Sequence, residues 1–369
     1  MSIGTWVVIV FAVVALVLAS ALAGCWWWKQ SRLALLRAGS QLVRTVRGPL
    51  EYAVSGEGPP LLVIHGGMGG YDQALSLGAL VNRYAGAAGF TVIAPSRPGY
   101  LRTSPEVGQT PEEQADALAV LLDHLGFAQV SVLAGSYGGP VALQLALRHP
   151  QRLHALVLLA SITRRCTVGQ QWPLSERYLL SPPIALLTDF CHWLMYLRAR
   201  SQPTTVVRFF MRRMTVPSVT DAEIERRIAL LIQDPEQIHT VQRQFCSMTP
   251  MSFQMIGCLN DEKQIAVLPD YPLENIQTPA LLVHGREDCV GLGIAGAEWA
   301  ASKLPRARLL VVEQCGHFLL AGAHLPSVFS AVAEFLYRHG SEETLMPASA
   351  ADSTREKLVG SPEPLRYRS

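Results

Sequence analysis

The sequence predicts an α/β fold in which a mostly parallel sheet of eight strands carries helices on both of its faces. Apolar runs alternate along the chain with stretches of helical periodicity, which is the pattern of a parallel sheet. One of these runs, 130–133, turns through small residues directly into a helical stretch. Two later runs end in loops that hold an acidic residue and a histidine. Chemically active residues are therefore expected together at the carboxyl ends of the strands.

Each strand is predicted from its apolar run and the turn residues beside it. The first two, 42–46 and 50–54, form a hairpin, and the other six are expected near 60–64, 90–94, 129–133, 154–159, 280–284 and 307–313. Helices are expected near 73–87, 111–124 and 138–148. About 300 residues remain when both termini are set aside, enough for one large domain with a buried core.

Residues 1–28 predict a transmembrane anchor or a signal segment. Every residue from Trp6 to Ala23 is apolar or small, and three tryptophans end the run at Trp28. As a helix, this run spans roughly 34 Å, enough to cross a hydrocarbon core of about 30 Å. The first basic residue is Lys29, so the positive-inside rule predicts a single-pass protein whose remaining chain is cytoplasmic. Residues 29–40 are expected to be a juxtamembrane linker.

Two other fates of this segment stay open. It could be a cleaved secretory signal, although such signals have a basic amino end and a shorter apolar run. The sequence Leu22-Ala23-Gly24-Cys25 is also similar to a bacterial lipoprotein processing site. Processing there would leave Cys25 lipid-modified and the protein exported.

Ser136 is the candidate nucleophile. It lies in Ala134-Gly135-Ser136-Tyr137-Gly138, directly after a strand, where a sharp turn would raise its hydroxyl above the sheet. The turn needs small residues on both sides of the serine because strand and helix pass close together there. The alternative interpretation is a glycine-rich loop that leads a helix in a nucleotide-binding fold.

Asp288 and His317 are the predicted partners of this serine. Asp288 follows the apolar run 280–284, with Glu287 as the alternative acid, and His317 follows the run that starts at Ala307. A serine hydroxyl is a poor nucleophile near neutral pH, so a histidine must take its proton. An aspartate then orients the imidazole and stabilises its charged form.

The chain from Leu42 to His339 resembles the α/β-hydrolase superfamily, in its branch of esterases, lipases and carbon-carbon hydrolases. The resemblance rests on His65-Gly66-Gly67-Met68-Gly69-Gly70, Ser96-Arg97-Pro98-Gly99-Tyr100, Ala134 to Gly138, Gly285 to Asp288, and Gly316-His317. It implies the order serine, acid, histidine that the chain shows. It also implies an oxyanion hole made by the backbone N–H groups of Tyr137 and Gly67, with Met68 as the alternative to Gly67.

The family pattern also implies a helical cap at 164–268, inserted between two parts of the hydrolase core at 41–163 and 269–340. The cap segment is apolar at helical spacings, at Ile184, Leu187, Phe190, Trp193, Leu194 and Leu197. A cap shapes the pocket and excludes water. Its arginines near Phe209 are either solvated or lie on an anionic membrane surface, in which case substrate could enter from the bilayer.

The composition of the chain argues against some classes of binding partner. A net charge of +2 and the lack of a dense basic run argue against nucleic acid. The seven cysteines have no metal-ligand spacing and fit reduced, buried thiols. No metal or cofactor is expected, the segment 341–369 is expected to be disordered, and the oligomeric state is left open.

The sequence therefore predicts a membrane-anchored serine hydrolase that cleaves a hydrophobic or lipid-like carboxylic ester. A carbon-carbon hydrolase or an amidase with the same three residues is the first alternative. A binding protein with a silent hydrolase fold is the second.

Overall fold

The computed structural model describes residues 2–86, 89–166 and 184–340. The predicted tail at 341–369 lies outside the described residues, as does part of the predicted cap, 167–183. The elements below are numbered along the described chain.

Eight strands form one sheet, as predicted. They are β1 Gln41–Thr45, β2 Gly48–Ser55, β3 Pro60–Ile64, β4 Thr91–Pro95, β5 Val130–Gly135, β6 Leu153–Leu159, β7 Ala280–Gly285 and β8 Ala307–Val312. Their order across the sheet is β1-β2-β4-β3-β5-β6-β7-β8. The hairpin β1–β2 is antiparallel and so is its pairing to β4, whereas all other neighbours are parallel. The strands from β3 to β8 therefore present their carboxyl ends at one edge.

Helices cover both faces of the sheet because its inner strands are apolar on both sides. The core helices are α2 Tyr71–Tyr84, α3 Pro111–Leu125, α4 Gly139–Arg148, α10 Ile294–Lys303 and α11 Leu325–Gly340. One buried cluster joins α3, α4 and α10 to the sheet, and a second joins α2 and α11 to the opposite face. Strands and helices alternate along the sequence because each face of the sheet is covered by a layer of helices.

In the described part of the chain between β6 and β7, five helices form a separate layer that is called the cap below. They are α5 Ala185–Ser201, α6 Thr204–Arg213, α7 Asp221–Leu231, α8 Pro235–Ser247 and α9 Met255–Ala266. The cap has its own apolar core, with Phe210 and Phe245 at its centre. Arg208 pairs with Glu225 inside the cap, at 2.6 Å. Both side chains of this ion pair are partly exposed.

The amino-terminal helix α1 runs without a break from Ile3 to Ala38. The segment expected as a linker is helical through Ala38, because Trp28, Leu33 and Leu36 are buried against the rest of the protein. Within the described residues, α1 is the one helix that is long and apolar enough to cross a membrane. Its most hydrophobic window makes no buried contact with the domain. One rigid element therefore joins an exposed apolar segment to the folded domain.

Candidate active site

Ser136 lies at the sharp turn that joins β5 to α4. Its φ of +48° is in the left-handed region, which is strained for any residue with a side chain. The turn holds because the next backbone passes very close: a Cβ on Gly138 would lie 2.8 Å from the carbonyl oxygen of His65. A Cβ on Gly139 would lie 2.3 Å from the carbonyl oxygen of Ile162. These two glycines keep the serine at the head of its strand.

The structure brings Ser136, His317 and Asp288 together in a single chain of contacts. His317 Nε2 lies 2.9 Å from Ser136 Oγ, and His317 Nδ1 lies 2.8 Å from Asp288 Oδ2. Both distances are those of good hydrogen bonds. An imidazole held in this way can accept the serine proton at Nε2 while the carboxylate fixes Nδ1 as a donor.

The Asp288 carboxylate is buried, accepts a backbone hydrogen bond and lies close to a second histidine ring. The backbone N–H of Val290 donates to Oδ1 at 2.7 Å, and Nε2 of His284 lies 2.8 Å from Oδ2. Burial raises the pKa of Asp288, but the opposing effect of His317 and His284 is larger, so the net pKa is far below the usual range. The carboxylate therefore stays ionised.

Glu287, the alternative acid, points elsewhere. Its carboxylate receives Arg227 of the cap at 2.6 Å and 3.1 Å. The geometry consequently selects Asp288 as the partner of His317.

The cap holds the loops that carry the acid and the histidine. Thr215, just after α6, forms a β-bridge with Asp288, and the N–H of Val216 donates to the carbonyl of Glu287 at 2.8 Å. The N–H of His317 donates to the carbonyl of Met214, also at 2.8 Å. One short cap segment, 214–216, therefore contacts both loops.

Arg227 of α7 makes a second connection between these loops. Besides its two contacts with Glu287, its Nη1 donates to the carbonyl of Gln314 at 2.9 Å. Glu223, one turn earlier, accepts from Arg227 Nε at 2.7 Å and fixes the guanidinium. Arg227 thereby ties the residue before Asp288 to the loop that leads to His317.

The loop after β3 passes directly over Ser136 and carries Gly67. The carbonyl of Gly66 accepts from Nη2 of Arg97 at 3.1 Å and lies 2.7 Å from Nδ1 of His65. A trans peptide is planar, with its C=O and N–H on opposite sides, so fixing this carbonyl also fixes the N–H of Gly67. A Cβ on Gly67 would lie 3.1 Å from the Tyr137 ring. The two predicted oxyanion donors thus belong to adjacent segments.

Arg97 is held in place from the cap. The Asp261 carboxylate of α9 accepts two hydrogen bonds from Arg97, at 2.7 Å and 2.6 Å. Tyr100 donates to the same carboxylate at 2.5 Å. Arg97 and Asp261 are both buried. A charged pair from opposite sides of the cap interface therefore supports the glycine loop.

Comparison with known proteins identifies the family. The model of a family described as alpha/beta hydrolase fold matches residues 59–197. An uncharacterised hydrolase, YcgS, of Bacillus subtilis is 28% identical over 78% of this chain and 95% of its own. A pimeloyl-[acyl-carrier protein] methyl ester esterase of Nitrosomonas europaea is 30% identical over 58% of this chain and 74% of its own. The chain belongs to the α/β hydrolases.

A further relative and a solved structure agree. The 2-hydroxymuconate semialdehyde hydrolase of Pseudomonas putida is 28% identical over 71% of this chain and 82% of its own. An α/β-hydrolase fold protein from Nakamurella multipartita superposes with a TM-score of 0.70 at 28% identity, over 80% of this chain and 98% of that one. The relatives include both esterases and a carbon-carbon hydrolase, so this α/β hydrolase is a hydrolytic enzyme.

Several residues around the site of this α/β hydrolase were not found from the sequence. Arg97 stands inside a motif that carried the resemblance, but nothing there showed its contact with the glycine loop. Asp261 and Arg227 lie in the cap, where a charged residue on an amphipathic helix is typical of a solvated face. His284 belongs to a strand run and gave no signal of its own. Their roles depend on contacts between distant segments.

The two cysteines beside the site of this α/β hydrolase are free thiols. Burial raises the pKa of Cys315 to about 12, and burial likewise raises the pKa of Cys289. Neutral thiols of this kind are weak nucleophiles. Among the described residues, no three His, Cys, Asp or Glu side chains gather into a metal site.

Proposed function

We propose that this α/β hydrolase is a membrane-anchored serine hydrolase that cleaves a hydrophobic carboxylic ester through an acyl-enzyme on Ser136. The observation that carries the proposal is the chain of contacts Ser136 Oγ–His317 Nε2 at 2.9 Å and His317 Nδ1–Asp288 Oδ2 at 2.8 Å. Catalysis by Ser136, His317 and Asp288 then follows from their positions.

In the first half of the proposed reaction, His317 Nε2 accepts the proton of Ser136 as its Oγ attacks the ester carbonyl. The carbonyl oxygen becomes negative and accepts hydrogen bonds from the N–H groups of Gly67 and Tyr137. Donors fixed in advance contribute about 3 to 4 kcal/mol each to such a transition state. Asp288 stabilises the imidazolium, and His317 returns the proton to the departing alcohol.

In the second half, a water molecule replaces the alcohol. His317 accepts a proton from this water, which attacks the acyl carbonyl, and the same two N–H groups hold the oxyanion. Collapse of the intermediate breaks the bond to Ser136 Oγ, which regains its proton from His317 and releases the carboxylic acid. No cofactor or metal takes part in this proposal.

A hydrophobic substrate is proposed from the surface that surrounds the serine. Met68 of the glycine loop and Phe318, next to His317, pack against the apolar core of the cap. Apolar side chains beside a reacting carbonyl favour an apolar acyl or alcohol group. A lipid-like ester is the class that fits both this surface and an enzyme held at a membrane.

The membrane anchor is proposed from α1. The apolar segment before Gly24 is exposed, whereas Cys25, Trp28 and Leu33 are buried. A burial of Cys25 against the protein leaves little room for a lipid chain on its sulfur. This supports a retained helix over lipoprotein processing, with the enzyme on the cytoplasmic side that the basic residues after Trp28 indicate.

A fluorophosphonate probe tests the activated serine. We expect the full-length protein in its membrane to lose activity as the probe bonds to Ser136, and His317→Ala to react far more slowly. The Ser136→Ala variant is the control for adducts on other residues. Failure of the probe to modify Ser136 in the folded protein would instead favour the silent binding protein.

A carbon-carbon hydrolase is the second candidate, because a relative named 2-hydroxymuconate semialdehyde hydrolase is 28% identical over 82% of its length. Rates on p-nitrophenyl and glycerol esters of increasing chain length, set beside a vinylogous diketone, separate the two. The ester proposal expects higher kcat/KM for the longer esters than for the short ones and for the diketone. A preference for the diketone would overturn it.

A further inference from the structure

The length of α1 places a particular cap helix at the membrane surface. Residues 3–23, at 1.5 Å of rise each, span about 31 Å, which matches the hydrocarbon thickness of a bilayer. The lipid-water boundary therefore falls near Gly24 when α1 spans a membrane. Trp26 and Trp27, just beyond it, are exposed to 63% and 68%, as expected for the interfacial belt.

Helix α5 of the cap contacts α1 at this boundary. A Cβ on Gly24 would lie 3.1 Å from the Trp193 ring. The centroids of the Trp28 and Tyr196 rings are 5.6 Å apart. Lys29 donates to Asp189 at 2.5 Å. These contacts hold α5 at the depth where the bilayer ends, because α1 is one unbroken helix.

The outer face of α5 is apolar. Leu187, Cys191 and Leu194 follow one another at intervals of four and three residues, which is one stripe of a helix. All three are exposed, with Leu187 at 54% and Leu194 at 47%, and Leu197 beside them is exposed to 43%. The exposed arginines at positions 198 and 200 follow the stripe and match anionic headgroups in charge.

The inner face of the same helix leads toward the catalytic serine. Met195 and Tyr196 pack against the apolar core of the cap. Met68 of the glycine loop and Phe318 beside His317 pack against that core from the other side. Helix α5 therefore separates an exposed apolar surface from the surroundings of Ser136.

We propose that the outer stripe of α5, Leu187, Cys191, Leu194 and Leu197, is immersed in the lipid interface, and that lipid-like substrate passes along this helix from the bilayer to Ser136. The inference rests on the membrane anchor of the proposed function and adds a second contact with lipid. The occupant is the bilayer because the stripe adjoins the segment of α1 that lipid would surround. The experiment below also detects the alternative, in which the stripe binds a second copy of the chain.

Depth-dependent quenching tests the position of α5. Native Cys191 is labelled with an environment-sensitive NBD maleimide in the full-length protein, reconstituted in phosphatidylcholine–phosphatidylglycerol vesicles with doxyl-labelled lipids. The matched control is Val120→Cys in a Cys191→Ser background. Val120 is exposed to 47%, like Leu194, but lies on α3, on the sheet face opposite α1. The Cys191→Ser protein alone gives the background from the other thiols.

We expect blue-shifted emission from Cys191 and strong quenching by shallow doxyl groups, with neither effect at position 120. Equal, weak quenching at both positions in a protein that resists carbonate extraction would overturn this inference and leave the anchor standing. A blue shift at Cys191 without quenching would also overturn it, since protein and not lipid would cover the stripe. Release by carbonate would overturn the anchor itself, and this inference with it.

A kinetic measurement tests the route of the substrate. Leu194→Glu is compared with Val120→Glu on a long-chain ester held in vesicles and on a short, water-soluble ester. We expect Leu194→Glu to lower the ratio of the vesicle rate to the soluble rate about tenfold, because a carboxylate resists immersion in the interface. An unchanged ratio in Leu194→Glu, with the fluorophosphonate reaction intact, would overturn the route and leave the proposed chemistry in place.

Discussion

Two neighbouring carboxylates, Asp288 and Glu287, have opposite environments. Asp288 is buried and faces His317, whereas Glu287 pairs with Arg227 of the cap. The sequence offered both as the acid because both follow the same strand. Only the direction of each side chain, which depends on the turn at the end of β7, separates them.

Replacement of each acid therefore has a different effect. We expect Asp288→Asn to lower kcat by about 10⁴-fold, because the amide favours the wrong tautomer of His317 and no longer stabilises its charge. Glu287→Gln keeps a hydrogen-bond acceptor for Arg227 and retains most of the activity. Steady-state rates on a p-nitrophenyl ester measure both. Equal losses in the two variants would contradict the assignment of Asp288.

The Cys315 thiol lies two residues before His317 but is not expected to react. Its pKa of about 12 is four units above pH 8, so about one thiol in ten thousand is ionised there, and reactivity would rise only as the pH approaches 12. In the unfolded chain the pKa returns to about 8.5. We expect mass spectrometry to show Cys315 unmodified by iodoacetamide at pH 8 in the folded enzyme and modified in urea. Rapid modification in the folded enzyme would contradict the burial.

At the scale of elements, the cap is part of the frame that positions the catalytic loops. The segment 214–216 contacts the loops of Asp288 and His317, and Arg227 of α7 contacts the same two loops. These contacts join segments far apart in sequence. A cap that moved as a rigid lid would have to break them.

Arg227 is accordingly expected to be a positioning residue. We expect Arg227→Gln to lower kcat about tenfold with little change in KM, since small displacements of catalytic groups are costly. Arg226→Gln is the matched control, because Arg226 is exposed and pairs with Glu223 on its own helix. We expect Arg227→Lys to recover part of the rate, because lysine keeps the positive charge but cannot donate several hydrogen bonds from a planar group as the guanidinium does.

Steady-state kinetics on all three variants tests whether Arg227 positions the catalytic groups. In the double variant Arg227→Gln, Glu287→Gln, we expect a loss no larger than in Arg227→Gln alone, because Glu287 acts through its contact with Arg227. Equal kcat in Arg227→Gln and Arg226→Gln would show that the contacts of Arg227 with the two loops have no role in catalysis.

The strands were the elements best predicted from the sequence. The inner strands are apolar runs that a buried sheet requires, so local composition was sufficient there, and most bounds of the eight strands agree within a residue or two. Ser136, Asp288 and His317 could be proposed for the same reason, since each follows a recognisable strand, and the structure places their side chains within hydrogen-bond distance of one another. The extent of α1 was not predicted. Lys29 and Arg32 resemble a polar linker in sequence, but in the structure they pair with Asp189 and Asp72, beside the buried apolar residues of the same helix.

At the scale of the whole molecule, Arg32 joins the long apolar helix α1 to the hydrolase domain. Its Nη2 donates to Asp72 of α2 at 2.6 Å and to the carbonyl of Cys246, at the end of α8, at 3.1 Å. Burial raises the pKa of Asp72 to about 6, against the opposing effect of Arg32. The helix, the core and the cap thus meet at one buried ion pair.

Removal of Arg32 leaves the Asp72 carboxylate buried and unpaired. We expect Arg32→Met to destabilise the protein by about 3–5 kcal/mol at pH 8. The loss shrinks at pH 5, because an aspartate with a raised pKa is protonated in the folded state below that pKa and its burial then costs less. Thermal unfolding in nanodiscs at both pH values measures the difference. The double variant Arg32→Met, Asp72→Asn recovers most of the loss, and a loss in Arg32→Met that did not depend on pH would contradict this account.

The proposed function requires Ser136 to carry the acyl group during turnover in a membrane-held enzyme. Rapid-quench mass spectrometry tests it most directly: the full-length protein in vesicles is mixed with a long-chain p-nitrophenyl ester and quenched in acid within the first turnover. The account predicts a mass increase equal to the acyl group on the peptide that contains Ser136, at a level that matches the burst of p-nitrophenol. Turnover at full rate with no adduct on that peptide would contradict it.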